Sequence, residues 1–125
     1  GYQAAILAEL AKEVYSVERI YSLAKEAEER LNELGYTNIG IFVRDGTLGL
    51  SEYAPFDRII ITAAAPEIPE TLKKQLKEGG IIVAPVGSRY SQQLLKIKKE
   101  GEKFNQSYHT LCLFVPLIGK YGWQR

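Results

Sequence analysis

The chain has 125 residues, with 16 basic and 15 acidic side chains and a formal net charge of +1 at pH 7. This balance excludes the basic footprint of a nucleic-acid-binding protein, and no stretch reaches the roughly 20 apolar residues that a membrane span needs. The length fits one domain over residues 1–125, with a modest core. Cys112 is the single cysteine, which is compatible with a reducing, cytoplasmic setting.

The first half of the sequence predicts a helix followed by strand, helix and strand. Residues 2–12 are apolar on nearly all sides, which predicts a helix that is buried on more than one side. Residues 13–18 are β-branched and aromatic, as in a strand. Apolar side chains recur every three or four positions over residues 19–34, so we expect an amphipathic helix that ends at Gly35. Residues 38–45 predict the next strand.

The second half predicts two strands that are buried on both faces, with a short helix between them. Residues 56–65 contain a continuous apolar run, which is typical of such a strand. Pro69 suits the first position of a helix through Leu76, and residues 77–80 close that helix. Residues 81–87 predict the second buried strand.

The last part of the chain predicts an antiparallel pair of strands, with a turn at residues 100–103. The strands and helices before it alternate, which favours a parallel sheet with right-handed crossovers. The predicted fold class is therefore α/β. Sheets of this kind bind ligands beyond the carboxyl ends of their strands, so the candidate functional residues are those at the strand ends.

Two acidic residues stand at predicted strand ends, and each has two interpretations. Glu18 could accept both hydroxyls of a ribose, because a carboxylate offers paired acceptors, or it could favour the dipole of the following helix. Asp45 with Gly46 could accept a hydrogen bond from an adenine amino group, or the two residues could form a plain turn. The pattern alone leaves these alternatives open.

Other chemically capable residues also have structural interpretations. The small side chains of Thr62–Ala65 leave room for a ligand, or they pack a strand closely against a helix. His109 lies in an alternating pattern that is typical of a surface strand, and Cys112 lies in an apolar run that is typical of a core position. No Cys/His cluster has the spacing of a metal site.

The chain resembles the protein-L-isoaspartate O-methyltransferase family over essentially its whole length. The resemblance rests on the stretches GYQAAILAEL, VYSVER, RDGTLG, APFDRIIITAAAPEIPETLKKQLKEGG, IIVAPVGS and FVPLIGKYGW. It is most specific from Ala54 to Ser88 and in the closing FVPL, which a generic nucleotide-binding fold would not reproduce. An NAD-binding Rossmann protein is disfavoured, because TAAAPEIP and FVPLIG have no role in it.

This resemblance implies a Rossmann-like, S-adenosylmethionine-dependent methyltransferase sheet with a C-terminal antiparallel strand pair. It implies an enzyme that methylates the α-carboxylate of L-isoaspartyl residues in damaged proteins. The ester then cyclises to a succinimide, whose hydrolysis partly restores aspartate, so the implied role is protein repair. The implied cofactor is S-adenosyl-L-methionine, and the implied partners are isoaspartyl-containing proteins or peptides.

The resemblance also implies roles for particular residues. Glu18 would hold the cofactor ribose, and Asp45 with Gly46 would lie by the adenine. The implied cofactor-binding residues are Gly1, Tyr2, Gln3, Glu18, Arg19, Asp45 and Gly46. The implied residues of the isoaspartyl subsite are Thr62, Ala63, Ala64, Val115, Pro116 and Leu117.

The implied chemistry needs no catalytic base. A carboxylate is already ionised at neutral pH and acts as its own nucleophile, and a sulfonium is already a good leaving group. The enzyme mainly aligns the two groups, which can remove several kcal/mol of the barrier. The serine or threonine regarded as the family's active-site residue is expected before Gly1, so no residue of this chain is assigned that role.

The family has a segment that is expected before Gly1, with an N-terminal region, the first central strand and most of the glycine-rich loop. Without it two inner strand edges are exposed, so we expect self-association to a homo-oligomer, domain exchange or a different strand order. The chain alone should be nearly inactive and bind the cofactor weakly. The alternatives are a non-catalytic, self-associating module of the same fold and a methyltransferase for another carboxylate.

Overall fold

The computed structural model describes residues 1–125, which divide into two compact units, Gly1–Gly46 and Thr47–Arg125. None of the helices combines the length and the apolar character that crossing a membrane requires. The single domain expected over residues 1–125 stays a prediction.

The first unit has two helices and two parallel strands. Helix α1 spans Tyr2–Leu10, strand β1 Val14–Glu18, helix α2 Tyr21–Glu33 and strand β2 Ile39–Val43. The strands pair in parallel, in register from Val14 with Ile39 to Glu18 with Val43. The order of these elements and the parallel pairing confirm the predictions for the first half of the chain.

Helix α1 is less buried than its sequence predicts. Ala4 and Ala8 pack with Val14 in a small core, but Tyr2 and Leu10 are each 82 % exposed. The expectation of burial on more than one side is therefore wrong. The core of this unit is built on the two alanines of the helix, and the large side chains at its ends lie outside that core.

Gly35 terminates helix α2 from the C′ position, as predicted. Gly35 has a φ of +86°, which a glycine adopts without steric cost. Its N–H bonds to the carbonyl of Asn32 at 3.0 Å, and the N–H of Tyr36 bonds to the carbonyl of Leu31 at 3.1 Å. These two bonds form a Schellman motif, which satisfies the last carbonyls of the helix.

The second unit is a four-stranded sheet with one short helix. Two 3₁₀ turns cover Gly46–Leu48 and Ser51–Tyr53. The strands are β3 Phe56–Ile60, β4 Leu76–Gly87, β5 Gln92–Glu100 and β6 Lys103–Cys112, in that spatial order, and helix α3 spans Glu70–Lys74. β3 pairs with β4 in parallel, whereas the β4–β5 and β5–β6 pairs are antiparallel. The predicted C-terminal strand pair is confirmed.

Strand β3 is less buried than its apolar sequence predicts. It pairs only with β4, and Ile60 is 43 % exposed. The core lies on one face of the sheet, where Ile61 packs with Leu72 of α3 and Ile82 of β4. The prediction of burial on both faces is wrong because α3 covers a single face.

The helix before β4 is shorter than predicted. Pro69 is the N-cap of α3 rather than its first residue, and the helix ends at Lys74. Leu76 instead begins β4, pairs with Phe56 and is 1 % exposed. Residues 77–80 therefore belong to β4 and do not close a helix. Burial of Leu76 in the core of the sheet outweighs the local helical pattern.

Each sheet ends on a strand that has one partner. In the first unit β1 pairs with β2 alone, and in the second unit β3 pairs with β4 alone. The other edge of each strand has no strand partner for its backbone N–H and C=O groups. The expected exposure of inner strand edges stays a prediction.

Candidate functional site

Glu18 ends β1 and lies just before α2. Its Oε1 accepts a hydrogen bond from the N–H of Ile20, the N-cap of α2, at 3.0 Å. The carboxylate therefore supports the start of the helix, where negative charge favours the dipole. This bond uses one oxygen, so Oε2 can accept from a ligand hydroxyl. The two interpretations of Glu18 are compatible.

A cavity of about 470 Å³ lies within the first unit, between the start of α1, strand β1 and helix α2. Gly1, Tyr2 and Glu18 line it, and Ser16 of β1 adds a polar group. Helix α2 forms another wall with apolar side chains, among them Leu23, and with the ion pair of Glu26 and Arg30. The volume falls in the range of small-molecule sites. Three of the seven implied cofactor-binding residues therefore meet around one cavity, and one of them, Glu18, is a carboxylate.

The other implied cofactor-binding residues do not line this cavity. Gln3 and Arg19 are exposed, and Asp45 and Gly46 are half-buried. Asp45 follows the carboxyl end of β2 just as Glu18 closes the parallel strand β1. Both acids therefore lie at the same edge of the two-stranded sheet, as the strand-end rule predicts.

Two segments that are far apart in sequence meet in the second unit. The N–H of Ala64 donates to the carbonyl of Val115 at 2.7 Å, and the N–H of Leu117 donates to the carbonyl of Ala64 at 2.8 Å. Ala64 and Pro116 thereby form a parallel bridge. The bridge brings together the residues that the resemblance assigns to the isoaspartyl subsite: Thr62, Ala63, Ala64, Val115, Pro116 and Leu117.

The buried part of this bridge is closely packed. Ala64 and Ala65 are fully buried, and the carbonyl of Ala65 accepts from the N–H of Gly87 at 3.0 Å. The packing interpretation therefore applies to these two alanines. Thr62 is exposed and Val115 is 71 % exposed. The side chains that a ligand can reach are the ones beside the bridge.

Gln92 is a polar residue that the sequence patterns do not single out. It is 2 % exposed, its Nε2 donates to the carbonyl of Ser88 at 2.7 Å, and its Oε1 accepts from the N–H of Phe114 at 2.8 Å. The sequence pattern does indicate that a glutamine is buried at this place. Gln92 and Gln93 open a strand whose side chains alternate between two faces, so one of the two must lie on the buried face.

Two further residues differ in how they match their predictions. His109 is exposed on β6, with its Nε2 2.9 Å from Oγ of Ser107, so its interpretation as a surface strand residue is confirmed. Cys112 is a free, half-buried thiol, which is less buried than a core position predicts.

The structure contains no group of three or more His, Cys, Asp or Glu side chains that could hold a metal ion.

The C-terminal residues fold back and bond to the end of the bridge segment. The N–H of Trp123 donates to the carbonyl of Leu117 at 2.7 Å. The guanidinium of Arg89 lies 5.1 Å from the centre of the Trp123 ring and donates to the carbonyl of Gln124 at 2.5 Å. The C-terminal residues therefore support the Leu117 end of the bridge.

Comparison with known proteins identifies the family. The family model for protein-L-isoaspartate(D-aspartate) O-methyltransferase matches residues 1–122. The protein-L-isoaspartate O-methyltransferase of Dictyoglomus thermophilum is 56 % identical over 124 residues, which cover 99 % of this chain and 56 % of that protein.

Two solved structures are also similar. A protein-L-isoaspartate O-methyltransferase superposes with a TM-score of 0.90 and 31 % identity, over 98 % of this chain and 40 % of that one. A Plasmodium falciparum protein of the same description, in complex with S-adenosyl-L-homocysteine, superposes with a TM-score of 0.72 and 25 % identity, over 85 % of this chain and 52 % of that one.

The fold is therefore the Rossmann-like α/β fold of S-adenosylmethionine-dependent methyltransferases. The chain belongs to the protein-L-isoaspartate O-methyltransferase family. It spans 56 % of the length of the Dictyoglomus thermophilum relative and of a second relative, from Dictyoglomus turgidum.

Proposed function

We propose that the protein containing this chain transfers a methyl group from S-adenosyl-L-methionine to the α-carboxylate of L-isoaspartyl residues in damaged proteins. The observation that carries the proposal is the bridge between Ala64 and Pro116, because it unites the two segments assigned to the isoaspartyl subsite. Family membership over residues 1–122 supports the same activity. We place it in a reducing, cytoplasmic setting, with which the single cysteine, Cys112, is compatible.

The first unit holds the cofactor in this proposal. The residues fit that role, because the cavity is of small-molecule size and contains a carboxylate with an acceptor left for a ribose hydroxyl. Glu18 would bind the ribose, Asp45 and Gly46 the adenine, and Gly1, Tyr2 and Gln3 the methionine end. Arg19 completes the proposed set. S-adenosyl-L-methionine supplies a methyl group on a sulfonium when bound.

The second unit holds the isoaspartyl residue in this proposal. The small, buried Ala64 keeps the two segments in contact, while Thr62 and Val115 present side chains to the peptide. The substrate carboxylate is ionised at neutral pH and needs no base to activate it. These residues therefore bind and orient the carboxylate, and orientation alone lowers the barrier.

We also propose that the chain alone is nearly inactive and that self-association or domain exchange covers the edges of β1 and β3. The support is that each of these strands has a single strand partner, and unpaired edges are templates for further pairing. Light scattering tests this: we expect dimers or larger species that grow with concentration. A monomer at every concentration would contradict it.

A second candidate function is a non-catalytic, self-associating module of the same fold. It is favoured by an apolar run at and after the end of β6, where Leu111, Leu113 and Val115 are 70–71 % exposed. Apolar patches of this kind are more typical of interfaces than of solvated surface. In this alternative the chain associates through that run and transfers no methyl group.

A methylation assay separates these functions. The chain alone is compared with a chimera that joins it to the part of the Dictyoglomus thermophilum relative that it does not cover. Both receive radiolabelled S-adenosyl-L-methionine and either an isoaspartyl peptide or the same peptide with normal aspartate. Label on the isoaspartyl peptide with the chimera alone is the expected result. No label in any reaction supports the module, and label on the aspartyl peptide supports a methyltransferase for another carboxylate.

A further inference from the structure

The amide of Gln92 links Ser88 and Phe114, which lie just beyond the ladder pairs of Gln92 with Gly87 and Cys112. Its Nε2 donates to the carbonyl of Ser88 at 2.7 Å, and its Oε1 accepts from the N–H of Phe114 at 2.8 Å. The residue is 2 % exposed, so water does not compete for either bond. A buried amide with both ends bonded fixes the distance between its two partners.

The Oε1 atom of Gln92, which bonds to Phe114, holds the chain where it leaves β6. The last ladder pair between β5 and β6 joins Gln92 to Cys112. Two residues later, the side chain of Gln92 bonds to the N–H of Phe114 in place of a ladder partner. The next residue is Val115, whose carbonyl accepts from the N–H of Ala64 at 2.7 Å. Gln92 therefore sets the direction of the chain one residue before the bridge begins.

The Ser88 end of the amide is anchored in a tight turn. Oγ of Ser88 accepts hydrogen bonds from the N–H groups of Tyr90 and Ser91, both at 3.2 Å. The preceding residue, Gly87, donates to the carbonyl of Ala65 at 3.0 Å. Through Gly87 the turn is therefore bonded to the segment Thr62–Ala65. Through Gln92 it is also bonded to the chain that leaves β6.

These bonds form a closed circuit. It runs from Ala64 to Val115, through Phe114 to the Gln92 amide, on to Ser88 and Gly87, and back through Ala65. We propose that Gln92 is a positioning residue for the isoaspartyl subsite: its amide holds the Val115–Leu117 segment at the spacing from Thr62–Ala65 that the peptide requires. This inference rests on the proposed function.

The test uses Gln92→Met in the chimera, because Met has a similar length and is apolar but makes neither bond. We expect the KM for the isoaspartyl peptide to rise about tenfold or more, with kcat and S-adenosyl-L-homocysteine affinity changed less than about threefold. The matched control is Gln93→Met, since Gln93 is the exposed neighbour on the same strand. An unchanged KM, or a fall in kcat at constant KM, would overturn the proposal.

A second variant covers the case in which Gln92→Met does not fold. Gln92→Asn keeps an amide that is one methylene shorter and cannot reach both Ser88 and Phe114, so the same rise in KM is expected. Hydrogen exchange in the full chain adds a readout that needs no activity. The Phe114 N–H should exchange about tenfold faster in the Gln92 variants than in the wild type or Gln93→Met. Equal exchange rates would contradict the role of the amide. If the wild-type chimera does not methylate the peptide, the proposed function fails, whatever the exchange rates show.

Discussion

The carbonyl oxygen of Ala64 accepts a hydrogen bond from the N–H of Leu117 at 2.8 Å. This contact joins the loop after β3 to the chain that leaves β6, with the whole β4–β6 region between them in sequence. Ala64 is fully buried, and because protein interiors are closely packed a larger side chain there would displace its neighbours. The position therefore requires a small residue, for packing as well as for the proposed subsite.

Replacing Ala64 with Leu should reduce both stability and substrate binding. We expect the free energy of unfolding to fall by about 1–3 kcal/mol, because extra methylenes in a packed site force neighbours apart. The KM for the isoaspartyl peptide should rise, since Val115–Leu117 would be displaced. Urea unfolding and peptide kinetics measure the two effects. Ala11→Leu, at an exposed position, is the control. An Ala64→Leu variant as stable as this control would contradict the packing argument.

Gln75 should stabilise the loop before β3 through its side-chain amide. Its Oε1 accepts from the N–H of Leu50 at 2.9 Å, and its Nε2 donates to the carbonyl of Leu48 at 3.0 Å. Gln75→Leu leaves the buried Leu50 N–H unpaired, so we expect a loss of roughly 2 kcal/mol in the free energy of unfolding. Gln106→Leu, at an exposed position on β6, should change it by less than about 0.5 kcal/mol. Equal effects of the two substitutions would refute this role.

Glu18→Gln tests the proposed ribose contact. The variant keeps an oxygen that can accept from the N–H of Ile20, so α2 should still begin at the same place. It loses the negative charge and one acceptor of the carboxylate. We expect the affinity of the chimera for S-adenosyl-L-homocysteine to fall about tenfold to a hundredfold, as measured by calorimetry. Glu28→Gln, on the exposed surface of α2, should bind like the wild type. Unchanged affinity in Glu18→Gln would remove Glu18 from the cofactor site.

We expect the stability of the first unit to fall at alkaline pH because of Tyr36. Its hydroxyl donates to Oε1 of Glu9 at 2.8 Å, and this bond, with smaller effects of desolvation and the Glu9 charge, raises the pKa of Tyr36 above 10.0. The folded state therefore holds the phenolic proton more tightly than the unfolded state. The stabilisation is fully present below about pH 10 and is lost as the pH rises through the raised pKa.

Thermal unfolding of Tyr36→Phe from about pH 8 to about pH 11 checks this dependence. The wild type should have the higher melting temperature at the lower pH values, and the difference should shrink above about pH 10. Tyr90→Phe, where Tyr90 is 87 % exposed, serves as the control. A difference between wild type and Tyr36→Phe that stays constant with pH would show that the hydrogen bond to Glu9 does not matter.

The sequence predicts those elements that depend on local periodicity. Helix α2, its end at Gly35 and the β5–β6 hairpin follow from the spacing of apolar residues and from turn chemistry. The errors arise where a distant contact decides. The apolar run of β3 does not reveal that α3 covers a single face, and the helical pattern before Leu76 does not reveal its burial against Phe56. Large apolar residues on α1 predict burial, yet Tyr2 and Leu10 lie outside the core.

The candidate site was predictable to a different extent in each unit. Glu18 and Asp45 follow from the rule that strand ends carry ligand chemistry. The pairing of Ala64 with Pro116 does not follow from spacing, because the two residues lie far apart in sequence; only the family resemblance groups them. Strand alternation indicates that Gln92 or Gln93 is buried, but neither approach indicates which carbonyl and N–H groups the amides of Gln92 and Gln75 will reach.

The position of the transferred methyl group tests the central claim most directly. The chimera is incubated with an isoaspartyl peptide and S-adenosyl-L-methionine, and the product is mapped by tandem mass spectrometry at slightly acidic pH, where the methyl ester persists. We expect one methyl group, on the α-carboxylate of the isoaspartyl residue, and no product from the matched aspartyl peptide. A methyl group on the peptide C-terminus or on an ordinary Asp or Glu side chain would contradict it.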